Sequence, residues 1–153
     1  NKYNFLENIQ VTKIIPSTID INLSKTLILG KTLINEKIFY IGKNGKFISS
    51  NQFFEEKEIA SIYGNFKINE FLNLQKILNN QDVDVSDIDE FYYYKNKRWD
   101  LVFSNGQILM LPSKNIKKSI EFYKKFSQQE DIANIKIIDL RVTNQIILNK
   151  NNE

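Results

Sequence analysis

The residues most able to do chemistry are the carboxylates of one acidic run, residues 82–90, which reads Asp-Val-Asp-Val-Ser-Asp-Ile-Asp-Glu. A twelve-residue calcium loop starting at Asp82 would have acceptable ligands at its first, third and fifth positions. Its sixth position is Asp87 where the loop needs glycine, and its twelfth is Tyr93 where it needs a bidentate glutamate. The run therefore predicts no calcium site, and its alternation with apolar residues is typical of a polar lead-in to a strand.

Acid–base and nucleophilic catalysis have no further support in the chain. Neighbouring acids occur at Glu55-Glu56 and Glu130-Asp131, but no nucleophile or orienting side chain lies near them in sequence. There is no cysteine and no histidine, which excludes thiolate nucleophiles, disulfides, zinc–sulfur sites and the commonest general base. No glycine-rich loop leads from a strand into a helix. We therefore predict no enzymatic activity, no cofactor and no metal.

Tyr92-Tyr93-Tyr94 with Lys95, Lys97 and Arg98 superficially resembles an aromatic and basic surface for nucleic acid. In a strand, however, consecutive tyrosines alternate between faces, so at least one of them belongs to a core. The formal net charge is only +3, and the cations are scattered among acidic and amide residues. Nucleic-acid binding is therefore not predicted.

Two arginines leave an open question about their partners. Trp99 is the only tryptophan, and at the start of a hairpin strand it is predicted to pack in the core. Arg98 would then point to the opposite face, where it could pair with a carboxylate of a partner. Arg141 either neutralises Asp139 on the same strand face or reaches outward.

The elements that must position these residues begin with a small antiparallel sheet in residues 1–48. Residues 8–15 read as a strand that ends at Pro16, and strict alternation in residues 18–24 predicts a second strand. In this second strand Ile19, Ile21 and Leu23 are predicted to face a core. Another strand is predicted over residues 27–34, and Gly42-Lys43-Asn44-Gly45 predicts a hairpin between residues 38–41 and 46–48.

The remainder predicts an α+β fold with antiparallel sheets. After a polar stretch with a turn at Gly64, apolar spacing predicts a helix over residues 68–79. The later elements are a strand over 86–94, a hairpin over 98–111 with Asn105-Gly106 at its turn, a second helix with Ser113 as N-cap, and strands near the C-terminus. A strand at the end of a domain tends to be a sheet edge, whose unpaired backbone groups another chain can pair with.

Five segments, taken in order, resemble the extracytoplasmic part of the FtsQ/DivIB family of bacterial cell-division proteins. They are residues 9–23, Phe39-Tyr40-Ile41 with Asn44-Gly45-Lys46-Phe47, Ile62-Tyr63-Gly64, the hairpin from Trp99 to Leu111, and Ile138-Asp139-Leu140-Arg141. Some positions depart from the family pattern, among them Gly42, which stands where the first hairpin of the family has an aspartate.

The resemblance implies two domains and a short tail. Residues 1–48 would be the C-terminal part of a POTRA domain, residues 49–149 an antiparallel β domain with two helices, and residues 150–153 a tail. A full POTRA domain would begin with a strand and helix that precede this chain. The chain starts with Asn1 rather than methionine, so we expect it to be part of a longer protein. It has no run of the roughly 18–20 apolar residues that a membrane span needs.

In function, the resemblance implies a non-enzymatic divisome scaffold that links early and late division proteins and controls septal peptidoglycan synthesis. One N-terminal helix, absent from this chain, would anchor it in the inner membrane, with this region in the periplasm at the division septum. Its implied partners are FtsB and FtsL. The alternative is a POTRA-containing, polypeptide-binding fragment of an outer-membrane transport or assembly protein.

The resemblance also implies where the partner binds. In the family, a segment of FtsB adds as a strand to the last strand of the β domain, which here would be residues 141–149, helped by an arginine near the tryptophan hairpin. That arginine is most nearly Arg98, with Lys97 as the other possibility. The expected partner-binding residues are therefore Arg98, Arg141, Val142, Thr143, Asn144, Gln145, Ile146, Ile147 and Leu148.

Overall fold

A computed structural model describes residues 3–51, 58–128, 132 and 134–150 of the chain. The paired acids Glu55-Glu56 and Glu130-Asp131, and most of the expected tail, lie outside these ranges. The chain forms two compact units, Asn1–Ile59 and Ala60–Glu153.

The first unit contains a two-stranded antiparallel ribbon, β1 (Leu6–Ile14) and β2 (Thr18–Lys25). The register pairs Ile9 with Leu23 and Val11 with Ile21, so one face of the ribbon is apolar and the other polar.

The apolar face of the ribbon is exposed. The prediction that Ile19, Ile21 and Leu23 face a core is wrong for the described residues, because their side chains are 65%, 57% and 60% exposed. Alternation identifies the face that suits burial, but a single-layered ribbon supplies nothing to bury it against.

The first unit also contains the antiparallel strands β3 (Ile28–Ile34), β4 (Lys37–Gly42) and β5 (Phe47–Ser49). The predicted hairpin between β4 and β5 is confirmed, and Gly45 at its turn has a φ of 75°. Tyr40, Ile41 and Ile48 are buried and form the core of this unit.

The second unit has a six-stranded sheet in the order β6-β7-β8-β9-β10-β11. The α+β class is confirmed, but the expectation of a purely antiparallel sheet is corrected, because β6–β7 and β9–β10 are parallel. Parallel neighbours require a crossover, and one helix lies within each of these two connections. The elements are β6 (Ser61–Tyr63), α1 (Ile68–Asn80), β7 (Ile88–Tyr93), β8 (Trp99–Phe103), β9 (Ile108–Met110), α2 (Ile116–Ser127), β10 (Ile135–Asp139) and β11 (Ile147–Lys150).

The strand register sorts this sheet into two faces. Residues in direct register across it form one buried apolar row, made of Ile62, Phe91, Leu101, Leu109 and Ile138. We call the side that carries this row the core face. The neighbouring row points the other way, to the side that we call the outer face, and contains Tyr63, Tyr92, Asp100, Met110, Asp139 and Ile147.

Helix α1 lies on the core face. The ring of Phe71, which is fully buried, packs edge-on against Phe91 with centroids 5.3 Å apart. The first turn is held by Glu70, whose carboxylate accepts hydrogen bonds from the Lys67 backbone N–H and from the Tyr93 hydroxyl, both at 2.8 Å. The helix is thereby attached to the end of β7.

Helix α2 is amphipathic and buries Ile120 completely. The predicted N-cap is wrong, because the helix begins at Ile116 and the capping position is Asn115 rather than Ser113. Asn115 has a φ of 59°, in the left-handed region, and asparagine tolerates that conformation better than most residues.

Two glycines in this unit allow a matched test of turn geometry. Gly64 has a φ of +106°, and a Cβ there would overlap the carbonyl oxygen of Tyr93, whereas Gly106 has a φ of +81° and open space around it. We predict that Gly64→Ala lowers the free energy of unfolding by about 3 kcal/mol or more, while Gly106→Ala costs only about 1 kcal/mol for the backbone conformation. Urea denaturation of both variants measures this, and equal losses would contradict it.

Candidate functional site

The last strand of the second unit lies at the edge of the sheet. In the described part of the chain β11 pairs only with β10, and the register sets Ile147 opposite Asp139 and Leu148 opposite Ile138. The prediction that the final strand is a sheet edge is therefore confirmed.

The direction of the backbone groups identifies which of them face the open edge. The N–H of Leu140 donates to the Met110 carbonyl on β9 at 2.9 Å, so the peptide groups of Ile138 also face β9 and those of Asp139 face β11. Ile147, directly opposite Asp139, faces back toward β10. Leu148 therefore directs its N–H and C=O to the open edge.

The boundary of the strand differs from the expected one. The resemblance places the strand over residues 141–149, but it is Ile147–Lys150. The chain must reverse after β10 to pair antiparallel with it, and residues 142–146 make that reversal, with a φ of 60° at Asn144 and a hydrogen bond from the Gln145 N–H to the Val142 carbonyl. Of the expected partner-binding residues, Ile147 and Leu148 lie in the edge strand, while Val142, Thr143, Asn144, Gln145 and Ile146 form the connection that leads into it.

Arg141 neutralises Asp139, which decides between the two alternatives for this arginine. Its Nε and Nη2 donate to the two carboxylate oxygens at 2.8 and 2.6 Å, and its backbone N–H donates to Oδ1 at 2.9 Å. These hydrogen bonds lower the pKa of Asp139 and raise that of Arg141. The Arg141 side chain remains 39% exposed, so it reaches the surface while it holds the carboxylate.

Arg98 lies on the face opposite Trp99, as predicted. Trp99 is buried on the core face, with its ring 4.7 Å from that of Tyr93, whereas Arg98 lies with its guanidinium 4.3 Å above the Tyr94 ring. Arg98 also has a carboxylate of its own chain as a neighbour, since its Nη2 is 3.7 Å from Asp100 Oδ2. Burial raises the pKa of Asp100 above its ordinary value.

The expected alternation of the three tyrosines between faces is also observed. Tyr93 packs on the core face, and Tyr92 lies on the outer face, stacked on Tyr63 at 4.9 Å. The Tyr92 hydroxyl donates to Glu90 Oε2 at 2.8 Å, which is the main cause that raises the pKa of Tyr92 to about 12.

The outer face brings both arginines close to the edge. A shallow groove of about 640 Å³ is lined by Arg98, Arg141 and Ile147 together with Pro112, Asp139 and Val142. Lys97, the other possible contact, is exposed in the turn before Arg98 with a φ of 64°.

The contacts of Arg98 with Asp100 and Tyr94 were not predicted from the sequence. The i, i+2 spacing of Arg98 and Asp100 in a strand, which puts both on one face, was the available signal for Asp100.

The described residues contain no group of acids arranged to hold a metal ion. In the acidic run, Asp84 Oδ1 accepts hydrogen bonds from the Ser86 N–H and hydroxyl at 2.9 and 2.6 Å and thereby caps the 3₁₀ turn Val85–Asp87. No described helix is both long and apolar enough to cross a membrane.

The fold is an α+β sheet whose last strand leaves an open edge, with two arginines in the groove beside it. The family model described as "Cell division protein FtsQ/DivIB, C-terminal" matches residues 33–141. The chain therefore belongs to the FtsQ/DivIB family of cell-division proteins.

Individual proteins similar to the chain include one curated relative and one solved structure. It is 25% identical over 154 residues to "Cell division protein FtsQ" of Rickettsia bellii (strain RML369-C), a match that covers 95% of this chain and 55% of the relative. The chain thus spans about half the length of that relative. It also resembles the major extracytoplasmic domain of the cell-division protein DivIB from Geobacillus stearothermophilus, at 10% identity and a TM-score of 0.46, over 71% of this chain and 96% of that one.

The ion pair beside the edge makes stability depend on pH. Because the folded-state pKa of Asp139 is depressed, the pair contributes stability above the unfolded pKa of about 4, and this contribution is lost as the pH falls through the folded pKa. We predict that Asp139→Asn lowers the unfolding free energy by about 1 kcal/mol at pH 7, and that its difference from wild type shrinks as the pH falls from about 5 to 2. Denaturant titrations across this range measure the difference.

The exposed pair Lys117–Glu121, whose charged atoms are 3.8 Å apart, supplies the control. Glu121→Gln should change the unfolding free energy by less than about 0.5 kcal/mol at every pH. A difference between Asp139→Asn and wild type that stayed constant down to pH 2 would contradict the assignment.

Proposed function

We propose that this region is a non-enzymatic scaffold of the divisome that binds the FtsB–FtsL pair by strand addition at β11. The observation that carries the proposal is the open edge of β11, to which Leu148 directs its peptide N–H and C=O. Membership of the FtsQ/DivIB family supports a role in cell division, and the partners are those that the family resemblance implies.

The side chains of β11 suit this role as well as its backbone does. Ile147 on the outer face is 50% exposed, and Leu148 on the core face is 37% exposed. An added strand would cover both, because a neighbour in a sheet contacts side chains on each face alternately. Backbone pairing would supply affinity, and the two apolar contacts would favour one register over its neighbours.

The arginines beside the edge would add specificity. Arg98 and Arg141 line the same groove as Ile147, and each already has a carboxylate of its own chain close by. An incoming acidic side chain would therefore meet cations whose positions are set before binding, which reduces the entropy lost on association. The connection from Val142 to Ile146, which is exposed as far as Gln145, would form the rim of the interface.

The same proposal assigns the remaining parts of the chain. Residues 1–48 would be the C-terminal part of a POTRA domain whose other elements cover the apolar face of the β1–β2 ribbon, and residues 49–149 the β domain. An N-terminal helix outside this chain would anchor the protein in the inner membrane, with this region in the periplasm at the septum. There it would link early and late division proteins and control septal peptidoglycan synthesis.

Strand addition can be tested with one outward-facing N–H. Leu148→Pro removes that donor but leaves the β10–β11 pairing groups of Ile147 in place, and proline is tolerated on the solvent side of an edge strand. We predict that Leu148→Pro weakens binding to the purified periplasmic parts of FtsB and FtsL at least about tenfold, as measured by calorimetry and co-elution.

Leu148→Ala is the matched control, since it shortens the same side chain but keeps the N–H, and it should bind more tightly than the proline variant. A folded Leu148→Pro protein that binds as tightly as Leu148→Ala would refute strand addition at this edge. Failure of the wild-type chain to bind FtsB and FtsL would refute the choice of partners.

A further inference from the structure

Two hairpins of this protein share the same turn chemistry. Asn44-Gly45 joins β4 to β5 and Asn105-Gly106 joins β8 to β9, and the glycines have φ values of 75° and 81°. In each turn the asparagine side-chain oxygen accepts a hydrogen bond from the N–H two residues later, at 3.2 Å from Lys46 and 2.9 Å from Gln107. Both turns therefore use the asparagine side-chain oxygen in the same way, as a hydrogen-bond acceptor.

The two asparagines differ in what else their side chains bind. Asn44 Nδ2 donates to the carbonyls of Asn4 and Leu6 at 2.9 and 3.3 Å, 40 and 38 residues away in sequence. Its backbone N–H donates to the Thr26 hydroxyl at 3.1 Å. The described hydrogen bond of the Asn105 side chain stays within its own turn. Asn44 thus does more than a hairpin turn requires.

The contacts of Asn44 lie where the β1–β2 ribbon joins the rest of the first unit. Asn4 strengthens the same junction, since its Nδ2 donates to the Phe47 carbonyl at 2.9 Å. The Thr26 N–H donates to the Phe5 carbonyl at 2.9 Å and closes the base of the ribbon. Beyond this base, the ribbon strands pair only with each other in the described chain.

Gly42 leaves the space that this arrangement needs. A Cβ at Gly42 would lie 2.5 Å from Asn44 Oδ1 and 2.7 Å from Thr26 Cγ2, so any larger residue would displace one of them. Thr26 is 5% exposed and has little room to move.

We propose that Asn44 is a positioning residue which, with Asn4, Thr26 and Gly42, locks the β1–β2 ribbon at a fixed orientation to the β3–β5 sheet. The lock requires an amide, because Asn44 both donates to two carbonyls and accepts from Lys46. A carboxylate of the same shape could accept but would place negative charge against the two carbonyl oxygens. The lock fixes the direction in which the apolar face of the ribbon is presented, and it does not depend on how β11 binds a partner.

The test compares Asn44→Asp with Asn105→Asp in the full chain. Both changes are isosteric, both add one negative charge, and both keep the turn acceptor, so only the donated bonds of Asn44 distinguish them. In wild type and Asn105→Asp, NMR residual dipolar couplings of the ribbon and of β3–β5 should fit one alignment tensor. In Asn44→Asp the ribbon couplings should shrink and need a separate tensor, and the Leu6 and Thr26 amides should exchange with solvent at least about tenfold faster.

A second variant keeps the test decisive if Asn44→Asp does not fold. Asn4→Ala retains the bonds of Asn44 to the backbone and loses only the bond to Phe47, so its ribbon should show a smaller change in the same direction. The proposal is overturned if the ribbon of Asn44→Asp, or of Asn4→Ala in its place, keeps the wild-type tensor and exchange rates. It is equally overturned if Asn105→Asp loosens the ribbon as much as Asn44→Asp does.

Discussion

The strand register of the second unit is the constraint on which the rest of its structure depends. One row of residues in direct register, centred on Phe91, Leu101 and Leu109, is fully buried on the core face, and each of these side chains contributes about 1.5–3 kcal/mol by leaving water. A slip of one residue would turn Asp100 and Asp139 into this apolar core and away from Arg98 and Arg141, which would leave two buried charges unpaired. The register is therefore strongly specified, and with it the face on which every polar side chain of the sheet appears.

The candidate site follows from this register. Asp100 and Asp139 fall on the outer face because their neighbours in sequence are needed for the core, and Arg98 and Arg141 each lie two positions from one of these acids. Spacing by two in a strand keeps a pair on one side, so both ion pairs form between residues close in sequence. The edge strand then brings Ile147 into register with Asp139. The same register therefore sets both the core and the proposed binding surface.

Much of this could be predicted from the sequence, where local chemistry decides the outcome. Alternation located the ribbon strands, Asn-Gly located both hairpin turns, and apolar spacing located α1, since each of these signals acts within a few residues. The three-residue strand β6 gave no such signal, and the parallel pairings depend on crossovers that alternation does not describe. The exposure of Ile19, Ile21 and Leu23 was missed because burial depends on what lies opposite. The start of β11 was misplaced because residues 142–146 reverse the chain, although their apolar content suits a strand.

The short length of β11 limits how long any complex formed there can last. In a strand of four residues, only every second residue directs its N–H and C=O outward. An added strand therefore gains on the order of four backbone hydrogen bonds, each worth about 1 kcal/mol net. That sum is comparable to the entropy cost of association, so backbone pairing alone would give rapid dissociation. Residence time would then be set mainly by the side chains around the edge. An assembly joined in this way can exchange its components while the fold of each remains intact.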